Sequence, residues 1–204
     1  MIQQPTAEHD DHRRAAPPTP ESLSARQRAR RDRIVAAALD DMIRYDLDSI
    51  QMKDVATSAG VALGTMYRYF TSKDHLFAEA LASWAERFRS EVTDAYGKTS
   101  AGRLKTAYRR AVRAFELHPP VYGNLLVLQA SKDPFAMAVY ERFAQRQSEA
   151  FASFLPNVES PVREDIIHVM SAVLDANLRD WSRGRKPVDD VYAAVDRAAE
   201  LLLR

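Results

Sequence analysis

At 204 residues the chain has room for one large domain or two smaller ones, each with a real core. Its formal charge of +1 is a near-balance of basic and acidic residues, so the total does not announce nucleic acid and charge must be read by segment. The absence of cysteine excludes disulfide frameworks, thiol nucleophiles and cysteine metal sites, and no apolar run approaches the ~20 residues of a membrane span. The polar, proline-bearing start is unlike a signal peptide, and a soluble, cytoplasmic protein is expected.

In chain order, residues 1–23 carry Pro5, Pro17, Pro18 and Pro20 among charged groups with few apolar side chains, which predicts a disordered arm. From Ser24 the pattern changes. Ile34, Ala37, Ala38, Leu39 and Met42 share one face of a first helix, and only Asp46 and Asp48 break the run. Two short helices over 52–59 and 63–70, separated by Gly60 and Val61, are too brief to stand alone but can pack on the first, giving a module over 24–71. Ser72 is placed to cap a long helix through Leu76, Phe77, Ala80, Leu81, Trp84 and Phe88, ending near Tyr96 and Gly97.

Gly102, Pro119, Pro134, Pro156, Pro161, Gly184 and Pro187 punctuate the remainder into helices near 103–117, 121–130, 135–154, 162–183 and 188–203. No strand pattern appears. The expectation is an all-α chain of about nine helices, a three-helix N-terminal unit followed by a helical bundle over 72–204.

The chemistry concentrates in the two short helices. A helix-turn-helix needs a small residue where its helices cross and glycine at its turn, and Ala56 and Gly60 meet both needs. Val55, Val61 and Met66 would hold the pair together, leaving Leu63, Gly64, Thr65, Tyr67 and Arg68 outward. Small Gly64 permits close approach to a groove, Thr65 and Tyr67 can bond phosphates or base edges, and Arg68 can engage guanine or phosphate. Taken alone, the segment fits a structural hairpin with solvated polar residues equally well. Upstream charge tips the balance: Arg26, Arg28, Arg30, Arg31 and Arg33 cluster where a flexible basic arm would track DNA phosphates or probe a minor groove. Cations there oppose the helix dipole, a conflict an external anion relieves. Lys73, beside helix-terminal amides, is a candidate phosphate anchor.

The string Val61-Ala62-Leu63-Gly64-Thr65-Met66-Tyr67-Arg68-Tyr69-Phe70-Thr71-Ser72-Lys73, with the order of elements from Arg33 to Leu76, resembles the DNA-binding domain of the TetR family of repressors. The resemblance implies that Leu63, Gly64, Thr65 and Arg68 lie toward base edges. It further implies that Tyr67, Tyr69 and Lys73 hold phosphates, with Gln51 and Lys53 contributing from the preceding helix. Two positions depart from the family pattern. Asp46 replaces the usual glycine after the first helix, a place where aspartate can turn left-handed. Gln51 replaces the usual capping threonine of the second helix, which puts that cap's phosphate contact in doubt.

The resemblance also implies a C-terminal bundle that binds a small molecule and pairs two helices per subunit in a homodimer. The helices through Val169, Ala172, Val173 and Ala176 and through Val191, Val195, Ala198 and Leu202 carry enough apolar surface for that interface. Packing within one subunit is the alternative reading. Candidate ligand contacts are Trp84, Phe88, Tyr108, Phe115, Tyr122, Leu126, Phe135, Phe143, Met170, Asn177 and Trp181, although aromatics at helical spacing ordinarily build cores. Tyr108, Tyr122, Asn177 and Trp181 have the polar handles that orient a mostly apolar ligand. Within the family, Gln51-Met52-Lys53, the Gly64–Phe70 run and the stretch from Asn177 to Trp181 look similar to actinobacterial regulators of steroid breakdown, the KstR group. That implies a hydrophobic effector such as a lipid, a steroid or an acyl-CoA thioester.

An enzyme finds no support. His9, His12, His75, His118 and His168 are scattered, with only Asp165 a turn before His168, and no nucleophile elbow, phosphate loop or dinucleotide fingerprint occurs. No cofactor or metal is called for. A helical adaptor would explain the bundle but not the arginine cluster or the Thr65–Lys73 string. The sequence therefore predicts a repressor that binds a near-palindromic operator as a dimer and is released when an effector shifts the long helix over 72–96.

Overall fold

The computed structural model describes residues 17–92 and 99–203, and among them it contains nine α-helices and no strand. These are α1 (Ala25–Met42), α2 (Met52–Ser58), α3 (Leu63–Tyr67), α4 (Lys73–Val92), α5 (Ser100–Leu117), α6 (Pro119–Gln129), α7 (Pro134–Ala152), α8 (Val162–Ser182) and α9 (Val188–Leu202). The expected arm lies outside the described residues up to position 16. Its last part is ordered: Pro20–Ser22 form a 3-10 turn and Leu23 is buried, because this one leucine finds the core of the N-terminal helices.

Ser24 starts α1 with a reciprocal capping box, its hydroxyl accepting from the Gln27 N–H and the Gln27 side chain accepting from the Ser24 N–H at 2.9 Å. The arginine cluster is consequently inside a regular helix and is not a flexible arm. Ile34, Val35, Ala38, Leu39 and Met42 form the buried stripe of α1, which packs on α2, α4 and α6. Asp46 does not turn left-handed. Its φ is −69°, and the end of α1 is capped from elsewhere in the chain, as described below.

Between α2 and α3, Gly60 has φ +65°, and the Val61 N–H reaches back to the Ala56 carbonyl while the Gly60 N–H reaches that of Thr57. This is a Schellman closure, which requires a residue without a Cβ penalty at that position. Ser72 caps α4 by accepting the His75 N–H at 3.0 Å. The expected end of that helix at Tyr96 and Gly97 lies outside the described residues. In the C-terminal part, α4 packs on α7 and α5, α6 threads between them, and α9 lies against α5 and α8. Among the described residues, no helix is long and apolar enough to cross a membrane.

Candidate functional site

The α2–α3 pair buries Val55, Ala56 and Met66, half-buries Met52 and Thr65, and turns its other residues outward. Leu63 is 41% exposed and Tyr67 44%, Gly64 and Arg68 are also exposed, and Thr65 is half-buried. An exposed leucine and tyrosine flanking a glycine on one short helix form a shallow contact surface with an arginine at its edge. Gln51 and Lys53 are exposed at the start of α2, and the Gln51 side chain makes no cap bond. On α1, Arg26, Arg30 and Arg33 recur at helical spacing along one face, with Arg26 and Arg33 exposed and Arg30 half-buried. Arg28 is exposed and donates to the Leu23 carbonyl at 3.4 Å.

Three residues expected at the DNA face are used elsewhere. Arg31 is buried: its guanidinium pairs with Glu79 of α4 at 2.8 Å and lies 5.2 Å over the Phe70 ring, so it clasps α1 to α4. Tyr69 is 7% exposed and belongs to the core beside Phe70, because it falls one residue past the outward face of α3. Lys73 directs its ammonium onto the carbonyls of Leu47 and Ile50, the latter at 2.7 Å. Its stem still borders a surface hollow shared with Tyr67, Thr71 and Ser72.

Beneath this face lies a polar junction that the sequence did not single out. His75 is buried between Phe70, edge-on at 5.5 Å, and Phe135 of α7, stacked at 5.6 Å. Its Nδ1 accepts the Thr71 N–H at 3.2 Å, and the Thr71 hydroxyl donates to Asp133 at 3.3 Å. Burial holds the imidazole below its ordinary pKa despite the nearby carboxylates of Glu79 and Asp133. Asn124 of α6, 1% exposed, is hydrogen-bonded to the chain leaving α1. Its one sequence signal is a lone amide in the apolar run Val121–Leu128.

The second feature is an apolar slot of about 300 Å³ between α4, α5 and α7. Ala107, Ala111 and Ala114 line it at helical spacing together with the aromatics Trp84, Phe115, Phe143, Phe151 and Phe154, and Arg110, Arg113 and Gln147 are among its polar lining residues. A second cavity shares Ala111, Phe115, Phe143, Gln147 and Phe151 with it and continues toward α8, where Glu164, Asp165 and His168 line the far end. Alanines among aromatics leave a cleft suited to an apolar molecule.

Of the candidate ligand contacts, Trp84, Phe115 and Phe143 line this slot, while the side chain of Phe88 lies outside the described residues. The others do not line it. Tyr108 is fully buried with its hydroxyl on the Ile167 carbonyl and Ser171, and the Tyr122 hydroxyl donates to Asp175 at 2.8 Å. Asn177 bonds Val173 and Lys186 near the end of α8, Trp181 and Leu126 pack on the core, Met170 is fully buried, and Phe135 belongs to the His75 junction. The polar handles of Tyr108, Tyr122 and Asn177 are already satisfied within the fold.

The expected dimer residues also divide. Val169, at 42% exposure, and Ala172 and Ala176 present a small apolar face on α8, with Val173 half-buried beside them. Val191 and Val195 are fully buried inside one subunit, where α9 packs on α5 and α8, so they are not interface residues. Ala198 and Leu202 are half-buried.

Residues 34–80, which span most of α1, the helix-turn-helix and the start of α4, match the family model described as bacterial regulatory proteins, tetR family. Over 179 residues the chain is 31% identical to the HTH-type transcriptional repressor KstR of Rhodococcus jostii (strain RHA1), covering 87% of this chain and 84% of that relative. The chain belongs to the tetR family. Within the family it falls in the KstR-like group, since KstR of Mycobacterium tuberculosis (strain ATCC 25618 / H37Rv) is also 30% identical over 185 residues, 88% of this chain and 83% of that one. TetR-family structures share the whole architecture. A regulator from Rhodococcus sp. RHA1 superimposes with a TM-score of 0.72 at 24% identity, covering 87% of this chain and 97% of that chain. Thermus thermophilus FadR, a repressor solved in complex with lauroyl-CoA, superimposes with a TM-score of 0.68 at 18% identity, covering 85% and 93%. The protein is thus a TetR-family transcriptional regulator.

Proposed function

We propose that this regulator represses transcription in the cytoplasm by binding a near-palindromic operator as a homodimer, and that a small hydrophobic effector in the α4–α5–α7 slot releases it. The observation that carries the proposal is the division of α3, with Met66 fully buried while Leu63, Gly64, Tyr67 and Arg68 face solvent. A helix that spends an exposed leucine and tyrosine on solvent has a surface built for a partner. An edge arginine and the α1 row of Arg26, Arg30 and Arg33 make that partner an anion with readable edges.

In this reading the unit for DNA is the segment up to position 71 and the unit for the effector is the rest. Two copies joined through the α8 face of Val169, Ala172 and Ala176 set their recognition helices in successive major grooves, about 34–36 Å apart. The slot's alanine and aromatic lining favours an apolar body such as a lipid or sterol skeleton. Arg110 and Arg113, which also line it, bring positive charge to an anionic end group such as that of an acyl-CoA thioester, with Arg113 exchanging for it the Glu116 carboxylate it holds at 2.9 Å. The complex of Thermus thermophilus FadR with lauroyl-CoA supports that class of effector.

The test is a fluorescence-anisotropy titration of the purified protein against DNA flanking its own gene, at two salt concentrations, with wild type beside Tyr67→Ala. Saturable, salt-sensitive binding that Tyr67→Ala abolishes supports the reading. Equal affinity for the flanking DNA and a scrambled duplex overturns it.

A further inference from the structure

The end of α1 is capped by a residue about 80 positions further along the chain. An α-helix leaves its last carbonyls without partners, and these are normally met by local turns or by water. Here the Asn124 side chain of α6 donates to the Met42 carbonyl at 3.0 Å and to the Tyr45 carbonyl at 2.9 Å, and its oxygen accepts the Leu47 N–H at 2.8 Å. Both donors of the amide and its acceptor are therefore committed to one stretch of backbone, at a position 1% exposed. Lys73 of α4 holds the same stretch from its other end through the carbonyls of Leu47 and Ile50. That stretch, residues 43–51, leads directly into α2 and so sets how α2 and α3 sit on α1.

The neighbours of Asn124 on α6 face the other way. Leu125 lines the second cavity, which shares Ala111, Phe115, Phe143, Gln147 and Phe151 with the slot and runs toward α8. Tyr122 packs edge-on against the slot residue Phe115, ring centres 5.7 Å apart, and its hydroxyl anchors α6 to Asp175 of α8. One short helix thus presents a backbone-capping amide and, on the next residue, a side chain lining the cavity that adjoins the slot. A rigid helix cannot move the second without moving the first.

We propose that α6 is the coupling element between the effector cavity and the DNA-reading helices, and that Asn124 is its positioning residue: an occupant that extends from the slot into the adjoining cavity presses on Leu125, withdraws the amide from the end of α1 and loosens residues 43–51. The inference rests on the reading of the slot as the effector site, and it adds a route separate from any displacement of α4. A buried amide with three committed bonds suits this role because it has two discrete conditions, seated or withdrawn, and coupling needs such an element to bias.

The experiment uses the full chain and needs no identified effector. Substitutions that fill the slot, Ala111→Phe and separately Gln147→Phe, act as fixed occupants, and amide hydrogen exchange is read at Leu47. The expected result is exchange at Leu47 accelerated at least ~10-fold by either filler, with the Thr71 amide, which bonds His75 at the α4 junction, unchanged. Asn124→Asp, which keeps an acceptor but loses the donors, accelerates Leu47 less than Asn124→Ala, and neither filler adds to Asn124→Ala. Where operator binding is measured, a filler weakens it by roughly 5- to 150-fold in the wild-type background and not in Asn124→Ala. Unchanged Leu47 exchange in folded filler variants overturns the proposal, as does a response confined to Thr71 or full additivity with Asn124→Ala. Failure of the wild type to bind any specific DNA counts against the operator reading, while the exchange result still decides the coupling on its own.

Discussion

The reading face and the junction beneath it are built from the same kinds of residue put to opposite uses. Arg68 and Tyr67 are exposed on α3, and the α1 row of arginines is largely solvent-facing. Arg31, on the same helix as that row, is buried against Glu79 and Phe70, and Asn124 and His75 are likewise enclosed and hydrogen-bonded. The lesson is that residue type marks a candidate but exposure assigns the role. Substitutions on the face should cost DNA binding and leave stability alone, whereas substitutions in the junction should cost stability first and reach DNA binding only through the loosened fold.

The largest effect belongs to Arg31. Replacing it with alanine leaves Glu79 without its guanidinium and removes the cation from the Phe70 ring, and breaking a largely buried pair this way costs about 3 kcal/mol. Chemical denaturation reads that directly. An Arg31→Ala protein as stable as wild type would mean that the clasp contributes nothing and that Arg31 should return to the list of DNA contacts. Next is Arg68→Ala on the other side of the comparison, expected to weaken operator binding about 10- to 100-fold and to relax sequence preference, with unfolding free energy unchanged within ~0.5 kcal/mol. A stability loss equal to that of Arg31→Ala would erase the distinction between face and junction. Smaller again are Arg26→Ala and Arg33→Ala. Each should lower the slope of log affinity against log salt by about one while binding to all duplexes weakens alike. Slopes identical to wild type would remove that row from the DNA surface.

The same comparison explains what the sequence made legible. The helix-turn-helix was readable because its requirements fall within about 20 contiguous residues: Ala56 at the crossing, a left-handed Gly60, and an outward Leu63–Arg68 run. All nine helices followed from their punctuation for a related reason, since helix signals are local. The slot was not readable in the same way. Its lining comes from α4, α5 and α7, and the pattern that places Trp84, Phe115 and Phe143 on it also describes Tyr108 and Tyr122, whose hydroxyls are satisfied inside the core. Helical spacing tells that a side chain faces inward, not whether its neighbour across the interior is a side chain or a void. Asn124 and Arg31 escaped for a third reason. Their partners, Leu47 and Glu79, are distant in sequence, and nothing local distinguishes a buried polar residue with such a partner from an exposed one without it.

The finest test of the junction is its response to acid. His75 is enclosed by Phe70 and Phe135, faces Glu79, Asp133, Arg31 and Arg142, and has a folded pKa lowered chiefly by burial. Its unfolded value is about 6.5, so the unfolded chain takes up a proton at a higher pH than the folded one does. The stabilising contribution of neutral His75 is therefore complete above about pH 6.5 and falls as pH drops toward the lowered folded value. Protonation also converts Nδ1 from acceptor to donor, removing the bond from the Thr71 N–H at the link between α3 and α4. His75→Gln cannot take up that proton, so the stability of wild type relative to the variant should shrink between about pH 7 and pH 5.5. The junction loosened by acid is the one that holds the reading helix, so operator affinity should weaken over the same interval in wild type and not in His75→Gln. A stability difference that stays constant across that interval would mean that His75 keeps its proton balance on folding, and that its place between two aromatic rings is a matter of shape alone.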